Sequence, residues 1–170
     1  MNYFELFEIP VQLQVDKSVL PRKYFELSRR YHPDFFVNGT SEEQALALER
    51  SALLNKAFQT FQHPDDTIRY VLSLKGMLEE EEKFTLPPEF LMEVMEINES
   101  MMDMEEEDPG LSGAISRLEA EIYSPVKAII EQYRDEMATE ADLLAVKEYY
   151  FKKKYIDRIR KQHNSNSGMI

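Results

Sequence analysis

The sequence predicts an all-α protein made of two helical modules. Apolar residues recur at spacings of three and four nearly throughout, and no stretch of alternating apolar residues persists. Charge divides the chain: residues 1–75 carry 9 Lys/Arg against 10 Asp/Glu, whereas residues 76–170 carry 11 against 22. Such asymmetry suggests modules 1–76 and 88–163, a linker at 77–87 and a disordered tail at 164–170.

The first module begins with a short helix over about Tyr3–Phe7, ending at Ile9-Pro10. Asp16 or Ser18 is expected to cap the second helix, with Pro21 in the first turn, where its missing N–H costs nothing. Leu20, Tyr24, Leu27 and Tyr31 fall on one stripe of that helix. Arg22, Glu26 and Arg29 lie opposite, flanked by Lys23 and Arg30. A loop passes through Asn38-Gly39, and Thr40 or Ser41 caps a third helix with Glu42 and Glu43 in its first turn. Its expected core residues are Leu46, Leu53, Leu54, Ala57, Phe58 and Phe61. The second and third helices can bury their stripes against each other as an antiparallel hairpin. A fourth helix runs from about Pro64 to Lys75 and stops at Gly76.

Four consecutive glutamates, Glu79 to Glu82, and then Thr85-Leu86-Pro87-Pro88 mark the linker. Three longer helices are expected beyond it, forming a bundle. The first spans about Pro88–Asp103, with Phe90, Val94, Ile97, Met101 and Met104 facing inward. The second spans about Leu111–Met137, kinked or broken at Pro125. Thr139 caps the third, which reaches about Gln162.

Composition narrows the function. Of 170 residues 43% are hydrophobic, yet no apolar run approaches membrane-spanning length. Met1-Asn2-Tyr3-Phe4 offers no basic patch ahead of an apolar stretch, so no secretory signal is expected and the assignment is cytoplasmic. With no cysteine and three scattered histidines (His32, His63, His163), neither a disulfide nor a metal site is expected. A net charge of −12 argues against nucleic acid as a partner. No serine sits in a nucleophile context, and no glycine-rich phosphate loop exists among five glycines. The chain is therefore read as a non-enzyme with no cofactor. Lys152-Lys153-Lys154 reads as a solvated helix face.

His-Pro-Asp occurs twice. At 63–65 it suits a helix start, proline in the first turn and Asp65 and Asp66 near the N-terminal dipole. At 32–34 it follows Arg29-Arg30-Tyr31 and opens the loop of the hairpin. There proline fixes a turn, His32 and Asp34 offer polar groups to a partner, and Arg22, Lys23, Arg29 and Arg30 can steer an acidic surface toward it. The first helix of the second module carries more apolar residues than one face can bury. Leu91, Met92, Met95 and Met102, flanked by Glu96 and Glu99, form a candidate docking surface, methionine being adaptable at interfaces. A helical adaptor that associates with itself through this face is a reading from another class.

Taken together these segments resemble a known family. His32-Pro33-Asp34 after a basic helix is the signature of a J-domain, the module that drives ATP hydrolysis in DnaK-type chaperones. Asn2-Tyr3-Phe4-Glu5-Leu6-Phe7, Leu53-Leu54-Asn55-Lys56-Ala57-Phe58, Arg69-Tyr70-Val71-Leu72-Ser73-Leu74-Lys75-Gly76 and Phe90-Leu91-Met92-Glu93 resemble the HscB family of J-protein co-chaperones in iron–sulfur cluster biogenesis. The resemblance implies an L-shaped protein whose J-domain engages an HscA- or DnaK-type ATPase through His32, Pro33, Asp34 and the basic face. It implies that the C-terminal bundle binds the scaffold IscU through Leu91, Met92, Met95, Glu96 and Glu99, with Tyr155 as the aromatic of the last helix. Phe35 departs from the pattern, which often has lysine after the tripeptide.

Overall fold

The computed structural model describes residues 1–102 and 109–167, and the side chains of residues 1–100, 113–162 and Asn164. Asn2 starts α1 (Tyr3–Phe7) with a reciprocal cap. The Glu5 N–H donates to Asn2 Oδ1 and the Asn2 N–H donates to Glu5 Oε2, both at 2.9 Å. The chain then turns through Glu8 in the left-handed region (φ 56°). So short a helix has little stability of its own. It is held by burial of Phe4, Leu6 and Phe7, with Phe4 and Phe7 against Phe61 at 4.9 and 5.3 Å between ring centroids.

Helix α2 (Leu20–Tyr31) buries Leu20 and Leu27 and half-buries Tyr24 and Tyr31, as the stripe predicts. Its start differs from expectation. Val19 occupies the cap position and makes no side-chain cap bond. The Asp16 carboxylate is spent on Ser18, accepting from its N–H at 2.8 Å and its hydroxyl at 2.7 Å. Asp16 contributes its backbone carbonyl instead, which accepts from the N–H groups of Val19 and Leu20.

Thr40 caps α3 (Ser41–Gln62) reciprocally with Glu43. Tyr24 meets Asn55 and Phe58, and Tyr31 meets Arg50, so α2 and α3 run antiparallel. Leu54, Ala57 and Phe61 are buried as expected, while Leu53 and Phe58 are half-buried. Leu46 is 45% exposed, and Ala47 takes the inner position. The reason is angular: stepping back seven residues from Leu54 reaches Ala47, and Leu46 lies one residue, or about 100°, off that face.

Helix α4 (Pro64–Leu74) starts at the second His-Pro-Asp, with His63 at the cap and Pro64 in the first turn. Buried Thr67 places its hydroxyl within 3.1 Å of the Thr60 carbonyl oxygen and 3.0 Å of that of His63. This ties α4 to the end of α3. Tyr70 explains part of the Arg69–Gly76 segment. Its ring stacks on Tyr3 at 4.2 Å and its hydroxyl oxygen accepts the Tyr3 N–H at 2.9 Å. Gly76 leaves the helix at φ +70°, a conformation costly for other residues.

The chain divides into two units. Met1–Lys75 joins Glu131–Ala138 in the first; the second holds the described residues of Gly76–Ile130 and Thr139–Ile170. Two expected boundaries therefore shift. Residues 77–87 pack into the second unit, where Lys147 Nζ pairs with Glu82 Oε2 at 2.8 Å and Phe84 stacks on Phe151 at 4.7 Å. Residues 131–138, expected in the bundle, belong to the first unit, where Asp135 pairs with Lys75.

In the second unit α5 (Pro88–Met102), α6 (Pro109–Tyr123) and the last helix pack on one another. Phe90 and Val94 of α5 are buried and Ile97 is half-buried. The side chains of Met101, Met102 and Met104 lie outside the described residues. At Pro125 the chain breaks into a 3₁₀ turn (Ser124–Val126), as a ring that clashes with the preceding turn requires. Helix α7 (Lys127–Glu131) follows and ends six residues short of the expected Met137. Helix α8 (Glu140–Ser167) opens on a reciprocal bond between Thr139 and Asp142, both at 3.1 Å. It runs past Gln162, so residues 164–167 of the expected disordered tail are helical. No glycine or proline stands there before Gly168, and nothing local stops the helix. Residues 168–170 lie outside the described set.

Candidate functional site

The first His-Pro-Asp sits where α2 ends. Pro33 excludes the helical conformation at His32, which is extended (φ −63°, ψ 129°). Pro33 to Phe36 then form a 3₁₀ turn closed by the Phe35 N–H donating to the His32 carbonyl at 3.1 Å. His32 caps this turn itself, Nδ1 accepting the Asp34 N–H at 3.2 Å. In a neutral imidazole that bond puts the proton on Nε2, leaving a donor for a partner. The Asp34 carboxylate, 84% exposed, lies 3.6 Å from His32 Nδ1. The tripeptide is thus locked in its backbone and open in its functional groups, as a docking element requires.

The four basic residues divide into two pairs. Arg30 pairs with Glu8 at 2.5 Å and with Glu26 at 3.1 Å, and Lys23 approaches Glu8 at 3.8 Å. Arg22 and Arg29 form no ion pair among the described residues; Arg29 lies over the Phe25 ring at 5.7 Å. The Arg30 hydrogen bond, then its charge, hold the Glu8 carboxyl below its ordinary range, and Lys23 adds to this. Elsewhere in the first unit, the Lys75 hydrogen bond lowers Asp135. Both folded pKa values are depressed, so this stabilisation is complete above the unfolded value of about 4 and is lost as pH falls through the folded values. The thermal midpoint is expected to fall below about pH 4. Glu8→Gln should flatten this acid limb; a midpoint–pH profile identical to wild type would contradict the Glu8 assignment.

In the second unit, Met92, Met95, Glu96 and Glu99 fall at i, i+3, i+4 and i+7 on α5, opposite buried Phe90 and Val94. Met92 is 63% and Met95 56% exposed; Glu96 and Glu99 are exposed and Leu91 is half-buried. Tyr155 is half-buried on α8, edge-on to Phe90 at 6.3 Å. Sequence reasoning missed an open cavity of about 290 Å³ beside this helix, lined by Glu89, Glu93, Glu121 and Glu148 against one cation, Lys152, with Phe90 and Tyr149. Its walls come from α5, α6 and α8, and no local pattern brings those carboxylates together. The Lys152–Lys154 face is not simply solvated. Lys152 pairs with Glu148 at 3.7 Å and lies over Phe90, and Lys153 pairs with Asp157 at 2.9 Å.

Among the described residues no group of three His, Cys, Asp or Glu side chains could hold a metal ion, and no helix is long and apolar enough to cross a membrane. Residues 86–163 match the family described as the HSCB C-terminal oligomerisation domain. The chaperone HscB from Vibrio cholerae is similar over nearly the whole length: 27% identity, 99% of this chain and 98% of that one covered, TM-score 0.62. The human co-chaperone protein HscB has the same 27% identity, with 98% of this chain and 82% of that chain covered and a TM-score of 0.77. An all-helical fold matched from end to end at 27% identity, with a C-terminal domain that matches the family's model over residues 86–163, makes this chain similar to the HscB-type co-chaperones.

Proposed function

We propose that the chain stimulates ATP hydrolysis by an HscA- or DnaK-type chaperone and delivers the cluster scaffold IscU to it. The presentation of His32-Pro33-Asp34 supports this reading above all: a proline-fixed turn with an exposed carboxylate at the end of a helix carrying Arg22 and Arg29. Such a turn docks at small entropic cost, and the arginines attract an acidic surface. The chain supplies no catalytic group. It shifts the chaperone toward its hydrolysing state by binding that state better, and the scaffold adds a second bias. Scaffold binding is assigned to Leu91, Met92, Met95, Glu96, Glu99 and Tyr155. The exposed methionines give apolar area, and the glutamates, with the acidic cavity beside them, favour a scaffold surface that presents basic residues.

The scaffold half is tested by calorimetry with Leu91, Met92 and Met95 changed together to serine. Removing three apolar side chains from an interface is expected to weaken scaffold binding by about 100-fold or more. Unchanged affinity, with an unchanged thermal midpoint, would reject this surface.

A further inference from the structure

We infer that Phe25 and Phe35 extend the chaperone-docking face beyond the tripeptide, forming with Arg29 and His32 one aromatic and cationic stripe that seats on an apolar patch flanked by carboxylates on the ATPase. Arg22, Phe25, Arg29 and His32 fall at i, i+3, i+7 and i+10 along α2 and its cap, so they share one face. That face is opposite to the one carrying buried Leu20 and Leu27. Two contacts pair its members: Arg29 lies over the Phe25 ring at 5.7 Å, and His32 meets the Phe35 ring edge-on at 6.3 Å.

Both rings are open. Phe25 is 64% and Phe35 70% exposed, and among the described residues neither ring packs against another phenylalanine or tyrosine. An exposed phenylalanine on a charged helix is a cost in water unless something covers it. Here one stands on α2 and the other inside the turn itself. The charges agree with this placement. Lys23 and Arg30 are occupied by Glu8, off the stripe, whereas Arg22 and Arg29 on it form no ion pair among the described residues. The occupant this selects is an acidic protein surface with an apolar centre. Aromatic and arginine side chains together are the residues that most often dominate such interfaces.

This inference rests on the chaperone reading, and its test separates the two. Steady-state ATP hydrolysis by the partner chaperone is measured against increasing concentrations of wild type, Phe25→Ala/Phe35→Ala, Leu144→Ala and His32→Gln. The double variant is expected to raise the half-maximal concentration about tenfold or more, with nearly unchanged maximal stimulation. Leu144→Ala, an exposed leucine on α8, should leave the curve in place. Phe25→Leu/Phe35→Leu should recover part of the loss, and unchanged far-UV circular dichroism and thermal midpoint exclude misfolding as the cause. A double variant with the wild-type curve, while His32→Gln abolishes stimulation, overturns the aromatic stripe and leaves the chaperone reading standing. Wild-type protein that fails to stimulate, or a His32→Gln variant that stimulates fully, overturns the chaperone reading and the stripe with it.

Discussion

Asp34→Asn is expected to abolish stimulation of the partner's ATPase while the thermal midpoint stays within about 1 °C of wild type. The side chain is 84% exposed and, among the described residues, the one titratable side chain its carboxylate approaches is His32, so the fold loses almost nothing. The turn also survives. Its backbone bonds run from the Asp34 N–H to His32 and from the Phe35 N–H to the His32 carbonyl, and neither uses the carboxylate. What disappears is a full negative charge at the proposed point of docking. A charge-assisted hydrogen bond at an interface contributes about 2–5 kcal/mol when its partner is left unpaired, a loss of 30-fold or more in coupling. Wild-type stimulation by this variant would refute the role given to the tripeptide.

The largest effect on stability is expected from Phe7→Ala, at about 3–5 kcal/mol. Phe7 is fully buried, and its ring meets Phe61 edge-on at 5.3 Å. Helix α1 has only five residues, and its attachment depends on these rings and on Tyr3 against Tyr70. The consequence reaches α2, because Glu8, which follows α1 directly, pairs with Lys23 and Arg30. Urea unfolding followed by circular dichroism reads the loss. A decrease below about 1 kcal/mol would mean that α1 contributes little to the first unit.

The legible parts of the fold are those that depend on neighbours in sequence. The Leu20–Leu27 stripe, the Thr40 cap, the start of α4 at Pro64 and the break at Pro125 all follow from residues within a turn or two. The failures share a cause as well. Leu46 against Ala47 is decided by the rotation of α3 against its neighbours, which periodicity leaves open to within one residue. Asp16 looked like a cap because Asp and Ser favour caps, yet the two bind each other. The pairing of Lys75 with Asp135, which draws residues 131–138 into the first unit, spans sixty residues of sequence. At the candidate site, the tripeptide and the methionine face could be read directly, from a rigid turn and from an excess of apolar residues on α5. The division of the four basic side chains could not. Glu8 lies fifteen residues before Lys23 and twenty-two before Arg30, and only the fold brings them together.

The most direct test is steady-state ATP hydrolysis by a candidate HscA- or DnaK-type chaperone, with this chain and the IscU scaffold each present or omitted. The proposed docking turn and the proposed scaffold surface predict modest acceleration by the chain alone and a larger, more than additive acceleration when both are present. The chain without chaperone should hydrolyse nothing. Hydrolysis unaffected by the chain in every combination, together with a stable homodimer in sedimentation, would contradict the co-chaperone mechanism and favour a self-associating helical adaptor.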